Sequence, residues 1–340
     1  MFNLKEAFEK FQLTIPTRKT ENWKYTPIQK LLDTEFCAGH AGATGSPYPR
    51  PMQLSPHPFA NLAIEMADEV KTIKITEPVS SPIKINFINK EKTATNIYQR
   101  IHVAENIQAE ILFDHTSEDK TACFTNIFTE IVLEKNAKLS LYKKQRLNNN
   151  SFLIDFILVN QSANSTFNSV TLDKGAALSR TDFEVHLNAP HAEASLQGAY
   201  LTKGEQIADH HSVIYHHVPH CQSKQHYRGI LDDKSKAIFN GKVVFERDAQ
   251  KSVTEQLNKN LLLSNQAEID TKPELEIYAD DVKASHGATV GQLDQQALFY
   301  LQARGIALEE AKALLMEGFL QEIFLNSENN TVFPFLINEE

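Results

Sequence analysis

Cysteine is scarce in this chain. Cys37, Cys123 and Cys221 are odd in number, far apart and form no CxxC pair. That excludes a cysteine-rich structural zinc module and suits a reducing compartment. Basic charge is also in deficit. With 34 Lys and Arg against 43 Asp and Glu, the net charge of −9 argues against a nucleic-acid-binding or anionic-membrane surface. No apolar run approaches the roughly 18–20 residues that span a bilayer. The start, MFNLKEAFEKFQL, mixes acids and bases too early for a secretory signal. There is no phosphate-binding loop, nucleophile elbow or HExxH motif. What remains is ordinary globular composition, 41% apolar and 23% charged, and the expectation is a soluble cytoplasmic protein.

Three regions divide the 340 residues. The first, 1–81, reads as an N-terminal helical region. Leu4, Ala7, Phe8 and Phe11 recur at helical spacing, and a second helix-like run follows the stretch PTRKTENWKYTPIQKLL. Residues 37–58 are rich in Gly, Pro, Ser and Ala and read as a long mobile loop. The second region, 82–291, is a succession of short β-like runs such as IKINFI, FTEIVLE, FLIDFILV and KAIFNGKVVF, parted by brief polar turns. Ala109, Ala137, Ala163, Ala177, Ala192, Ala237 and Ala267 each open or precede such a run, at gaps near multiples of 14 or 15. A two-strand coil repeating every thirty residues or so produces that spacing, and stacked coils of this kind form a parallel β-helix. A β-sandwich also has short strands but does not favour such even spacing.

The third region, 292–340, is helical. LDQQALFYLQARG ends at Gly305, a C-cap candidate, and IALEEAKALLMEGFLQEIFLN follows. Leu308, Ala311, Leu315 and Phe319 form one stripe, and Met316, Leu320 and Phe324 widen it beyond a single packing arc. Burial in the protein's own core and docking of another protein both fit such a surface.

Two stretches invite chemical readings. ADHHSVIYHHVPHC, residues 208–221, holds five histidines and a cysteine. On one strand His210 and His216 share a face but lie roughly 20 Å apart, and adjacent histidines point oppositely. Pro219 breaks the line before His220 and Cys221, so these groups do not converge on one ion within one strand. Stacking between coils, His186 with His216 and His191 with His220, explains a ladder without metal. The stretch YADDVKASHGATVG, 278–291, crowds Ser285, Gly287, Ala288 and Gly291 around His286, so a partner backbone or a cluster could come close. Asp280 and Asp281 stand just upstream. A tight strand-to-helix turn would need the same small residues.

KPELEIYADDVKASHGATVGQLDQQALFYLQARGI resembles the C-terminal signature of the SufB/SufD family, scaffold proteins of the Suf iron–sulfur cluster assembly system. VPHCQSKQHYRGILDDKSKAIFNGKVVFERDAQKSVTEQLNKNLLLSNQAEIDTKPELEI extends the resemblance, and the N-terminal PTRKTENWKYT with the modest length resembles the SufD branch. The resemblance implies a mainly β fold, a right-handed parallel β-helix flanked by N-terminal and C-terminal α-helical segments. It implies a non-catalytic scaffold that pairs with SufB, forms a homodimer through the same surface when alone, and docks the SufC ATPase on its C-terminal helices. Phe299, Tyr300, Arg304, Gly305, Leu315 and Phe319 are the expected SufC contacts. No cofactor is expected in the isolated chain; a transient iron–sulfur cluster forms in the complex. His286 matches the family's nascent-cluster position. Many SufD sequences carry cysteine two residues earlier, where this chain has Ala284, so a local thiolate is missing. The alternative function is a metal-dependent enzyme that uses the 208–226 histidines on a β-helix. A β-helical acyltransferase would need a six-residue coil period, which is not found.

Overall fold

The computed structural model describes residues 2–38, 57–67 and 70–325. In chain order the strands begin with β1 (Cys37–Ala38), β2 (Val70–Ile75), β3 (Ile83–Asn89), β4 (Thr93–Val103), β5 (Gln108–Ser117) and β6 (Phe124–Leu133). Next come β7 (Lys138–Arg146), β8 (Phe152–Gln161), β9 (Thr166–Lys174), β10 (Leu178–Leu187), β11 (Glu193–Thr202) and β12 (Ile207–His216). The last are β13 (Gln222–Leu231), β14 (Lys236–Phe245), β15 (Val253–Leu262), β16 (Glu268–Ile277) and β17 (Lys283–Gly291). Even-numbered strands from β4 to β16 stack side by side in one sheet, with β1 and β2 added at β4; odd-numbered strands from β3 to β17 form the other. Every one of these pairings is parallel. The chain is therefore a two-sheet β-solenoid, mainly β, with its helices toward the termini.

The coil arises because each strand alternates faces and every inward residue lands on an inward residue of the next coil. Ile101, Ile131, Val159, Val185, Ile214 and Val243 make one such column, all fully buried. Corners are built by left-handed residues in register. Asn106, Asn136, Asn164, His191, His220 and Lys251 all have φ between 56° and 63°. Asparagine and histidine tolerate that region better than most residues do. Asn136 Nδ2 donates to Asn106 Oδ1 at 2.7 Å, and Asn164 Nδ2 to Asn136 Oδ1 at 3.1 Å. His191 and His220 continue the corner, with ring centroids 5.2 Å apart. One glycine inside the coil is dictated by packing: a Cβ on Gly229 would lie 2.1 Å from the Tyr200 ring.

The N-terminal region contains α1 (Leu4–Lys10), the short α2 (Gln29–Leu32) and α3 (Pro58–Met66). Phe8, Trp23, Leu31, Phe36 and Phe59 pack with Phe124 and Phe152 of the solenoid. Three sequence expectations change here. No helix directly follows PTRKTENWKYTPIQKLL, because Phe36 bridges to Phe2 and Cys37–Ala38 pairs with β4; the helix lies at the end of that stretch, Gln29–Leu32, after a 3₁₀ turn at Glu21–Trp23. The stacked strands begin at β2, ahead of the expected boundary at 82, since VKTIKI pairs with β4. Of the expected 37–58 loop, residues 39–56 lie outside the described residues. Its ends are ordered elements: Cys37–Ala38 pairs with Thr93–Ala94, and Pro58 opens α3, where His57 Nδ1 accepts the Ala60 N–H at 3.2 Å.

At the other end α4 (Gln295–Ala303) closes on Gly305, whose φ of +88° places it in the left-handed region. Helix α5 (Leu308–Leu325) follows and lies across the outer face of β11 and β13.

Candidate functional site

Among the described residues nothing pairs with the outer edges of the last strands of the solenoid. β16 and β17 are each paired on one side only, so both present an unpaired backbone edge. Apolar side chains stand exposed there: Tyr278 is 61% and Val290 50% accessible, with Ile277 and Val253 beside them. The stretch expected as a strand-to-helix turn is, over Lys283–Gly291, the last strand. Its small residues carry little β propensity, and the pairing with β15 holds it extended.

His286 belongs to that edge strand and is exposed. Its register continues an inward column, Leu196, Gln225, Gln256, His286. Below it the column is polar: Gln256 Nε2 donates to Gln225 Oε1 at 3.1 Å, and Ser212 Oγ donates to the same oxygen at 2.7 Å. Gln256 Oε1 is buried with no hydrogen-bond partner among the described residues. The imidazole thus stands at the mouth of a polar column, one rung beyond an open acceptor. Ala284 packs in a small apolar cluster with Phe245 and Ala279. Cys123 and Cys221 are buried, and burial pushes the Cys221 thiol up, so it does not offer a ready thiolate.

The expected helical contacts separate into two groups. Phe299 and Tyr300 project from α4 with 73% and 58% of their surface free, and Arg304 stacks on the Tyr300 ring with its guanidinium carbon 4.9 Å from the centroid. Gly305 is exposed beside them. Leu315 and Phe319 are only half exposed, because α5 faces the solenoid. Arg228 of β13 lies 4.8 Å over the Phe319 ring and donates to its carbonyl. Leu320 and Ile323 cover Leu112, Tyr142, Val170, Leu172 and Ala199. Part of the wide apolar arc is therefore used within the chain. The Phe324 side chain lies outside the described residues.

The 208–226 histidines are dispersed over different surfaces. His210 and His216 point into the coil, where His216 Nε2 meets Ser223 Oγ at 2.8 Å and burial pushes its pKa down to about 3. His210 lies 3.4 Å from Asp173 and His211 2.8 Å from Asp209. His226 faces Glu255 on the other sheet. Among the described residues no three His, Cys, Asp or Glu side chains are placed to share an ion. One rung pairing differs from expectation: His186 lies opposite Tyr215, and its imidazole neighbour is His217 rather than the inward His216.

Two buried charge clusters escaped the sequence reading. Inside the coil Lys143 Nζ meets Asp155 at 2.6 Å and donates to Thr181 Oγ1 at 2.6 Å, all fully buried. Burial raises the Asp155 carboxyl against the pull of Lys143, and burial with Lys143 lowers neighbouring His115 well below its usual range. On the outer face Arg180 forks onto Asp182 with two 2.7 Å bonds and reaches Asp209 at 3.2 Å. The Trp23 ring covers the guanidinium at 3.7 Å, and Arg180 Nη1 donates to the Asn22 carbonyl and to Thr26 Oγ1. The signal for both was a charge at an apolar register position, Asp155 in FLIDFILV above all. A cavity of about 250 Å³ lies beside this cluster, lined by Trp23, His57, Asp182, His211 and Lys242 among others.

The described residues form a long parallel β-solenoid, walled by paired strands and carrying helices toward both termini. Residues 86–319 match the family described as SUF system FeS cluster assembly, SufBD core domain, and the chain belongs to that family of iron–sulfur cluster assembly proteins. It is 38% identical over 200 residues to an iron–sulfur cluster assembly SufBD family protein of Synechocystis, covering 59% of this chain and 44% of that one. It is 29% identical over 359 residues to the iron–sulfur cluster assembly protein SufD of Escherichia coli, covering 91% and 84%. SufD of Bacillus subtilis is 26% identical over 253 residues, 72% and 57% of the two chains. The chain is SufD-like within its family. Its match spans less than half the length of the Synechocystis relative.

Proposed function

We propose that the chain is the SufD-type scaffold subunit of a SufB–SufC–SufD complex and lends His286 to a nascent cluster built as cargo at its open end. The observation that carries this is the rim, where among the described residues two strand edges without a neighbour and exposed apolar side chains surround an exposed imidazole. An edge of this kind is completed by strands of a partner, SufB in the complex or a second copy when alone. A neutral imidazole is a competent but weaker ligand for iron than a thiolate, which suits a cluster that must be handed on. With Ala284 where a cysteine could stand, sulfur ligation falls to the partner. The division of the chain follows: N-terminal segment, solenoid as platform, and C-terminal helices as the seat of SufC.

The test is anaerobic co-purification with SufB and SufC, followed by iron and sulfide analysis. His286→Ala is expected to leave the complex intact and to lower cluster content at least severalfold; undiminished content would remove His286 from the site. The seat of SufC is tested on α4, because truncating α5 would also uncover the chain's own apolar face. Replacing Phe299 and Tyr300 together by serine is expected to weaken SufC capture by about 2 kcal/mol or more, roughly thirtyfold, as loss of aromatic anchors does. Thermal stability should stay unchanged, since both rings are largely free. Full SufC affinity in that variant would place the docking surface elsewhere.

A further inference from the structure

We propose that His186 and His217 form a two-imidazole site for a divalent transition-metal ion on the outer face of the solenoid, separate from the rim and independent of the function proposed above. His186 lies on β10, and His217 follows β12 directly. Their rings lie in planes 1° apart with centroids 5.2 Å apart, and His186 Nδ1 faces His217 Nε2 at 2.9 Å. Each far nitrogen is held by a carboxylate: His186 Nε2 by Glu184 Oε1 at 2.9 Å and His217 Nδ1 by Glu246 Oε1 at 2.9 Å. Tyr215 lies parallel to both rings and fixes their plane.

The proton count is informative. Both carboxylates accept, so His186 Nε2 and His217 Nδ1 each carry a hydrogen. The facing nitrogens then share a single proton, and removing it leaves two lone pairs aimed at one another. Carboxylates on the far nitrogens are the arrangement that orients histidines toward a metal and raises their basicity. Two imidazoles on one tetrahedral ion, with bonds of about 2.0–2.1 Å, hold their nitrogens roughly 3.3 Å apart. The facing nitrogens now lie in line, so both rings also turn in their common plane, by roughly 35° each, to aim their lone pairs at an ion that sits off that line. The imidazoles are 22% and 24% exposed, which leaves room for water to complete the coordination. The nearby ammonium of Lys242 is already tied to Glu276 at 2.5 Å and faces Glu274, so acidic groups outnumber it around the pair. Imidazole ligands favour copper, nickel, zinc or ferrous ions over magnesium or calcium. Binding exchanges one shared proton for one ion.

Calorimetric titration of the full chain with zinc chloride, in two buffers of different ionisation enthalpy, tests this. One zinc per chain and release of about one proton are expected. His186→Gln and His217→Gln should each abolish that stoichiometric step. Glu246→Gln, which removes only the orienting acceptor, should weaken it roughly 10–100-fold. His286→Ala should leave it unchanged, which separates this site from the rim. Nitrogen-15 histidine spectra of the unmodified chain supply a check that needs no substitution: zinc should shift the His186 and His217 resonances first. Absence of stoichiometric zinc binding, or binding unaltered in both glutamine variants, would overturn the proposal and leave the pair as a hydrogen bond between coils.

Discussion

In an Arg180→Leu variant the fluorescence of Trp23, the sole tryptophan, is expected to move to longer wavelength, and stability to fall by about 3–5 kcal/mol. The magnitude follows from what the guanidinium leaves behind. Asp182 and Asp209 are both buried. Burial alone would raise their carboxyls, yet both are held low. For Asp182 the opposing charges are Arg180 and His57; for Asp209 they are His211 and Arg180. Without Arg180, two buried carboxylates lose their shared guanidinium partner. The same side chain tethers the N-terminal segment through Asn22 and Thr26 and forms the floor under Trp23. The segment should therefore loosen locally before the coil melts, so the fluorescence transition and the loss of far-ultraviolet dichroism should separate. Coincident, unshifted transitions would show that the cluster adds little.

The wild-type cluster also sets a pH dependence. A carboxyl whose folded pKa is depressed contributes stability above its unfolded pKa and loses it as pH falls through the folded value. Acidification of the wild type should accordingly release Trp23 below the ordinary carboxylate range. Arg180→Lys is the control. It keeps the charge but loses the fork, so it should fall between wild type and leucine.

How much of this was legible beforehand depends on the period of the signal. Strand alternation and the spacing of Ala109, Ala137 and Ala237 report a coil directly, because every turn repeats the same geometric demand. The His191 and His220 corners are legible for the same reason, since they occupy the turn positions held by Asn106, Asn136 and Asn164 in earlier coils. Facing is harder. A shift of one residue exchanges inside for outside, and that shift separates the inward His216 from the outward His217. Lys143 is a lysine on a polar strand, LSLYKKQR, and only the register with Thr171 and Phe113 places it inside while Lys144 points out. β17 is hidden because KASHGATVG has the composition of a turn; its extension is imposed by β15. Trp23 and Arg180 stand 157 positions apart in the chain, and no local pattern links them.

Replacing Lys143 by methionine should cost about 3–5 kcal/mol, while replacing Lys143 by methionine and Asp155 by valine together should restore most of it. The pair sits in the interior of the coil, with Asp155 between Ile127 and Thr181 in its column. Its two charges lie 2.6 Å apart in a region that excludes water. Taking away the lysine strands a carboxylate whose pKa burial already raises. The folded variant then keeps a proton on Asp155 that the unfolded chain gives up, so the deficit grows as pH rises through the carboxylate range. That slope has the opposite sign to the one at Arg180, which allows the two clusters to be told apart in one series of denaturant titrations. The double replacement removes both desolvation costs and continues the apolar side of Ile127 and Phe113, so its stability should lose that slope. A double variant as unstable as the single one would mean that the coil needs the ion pair itself, through Thr181, to hold its register.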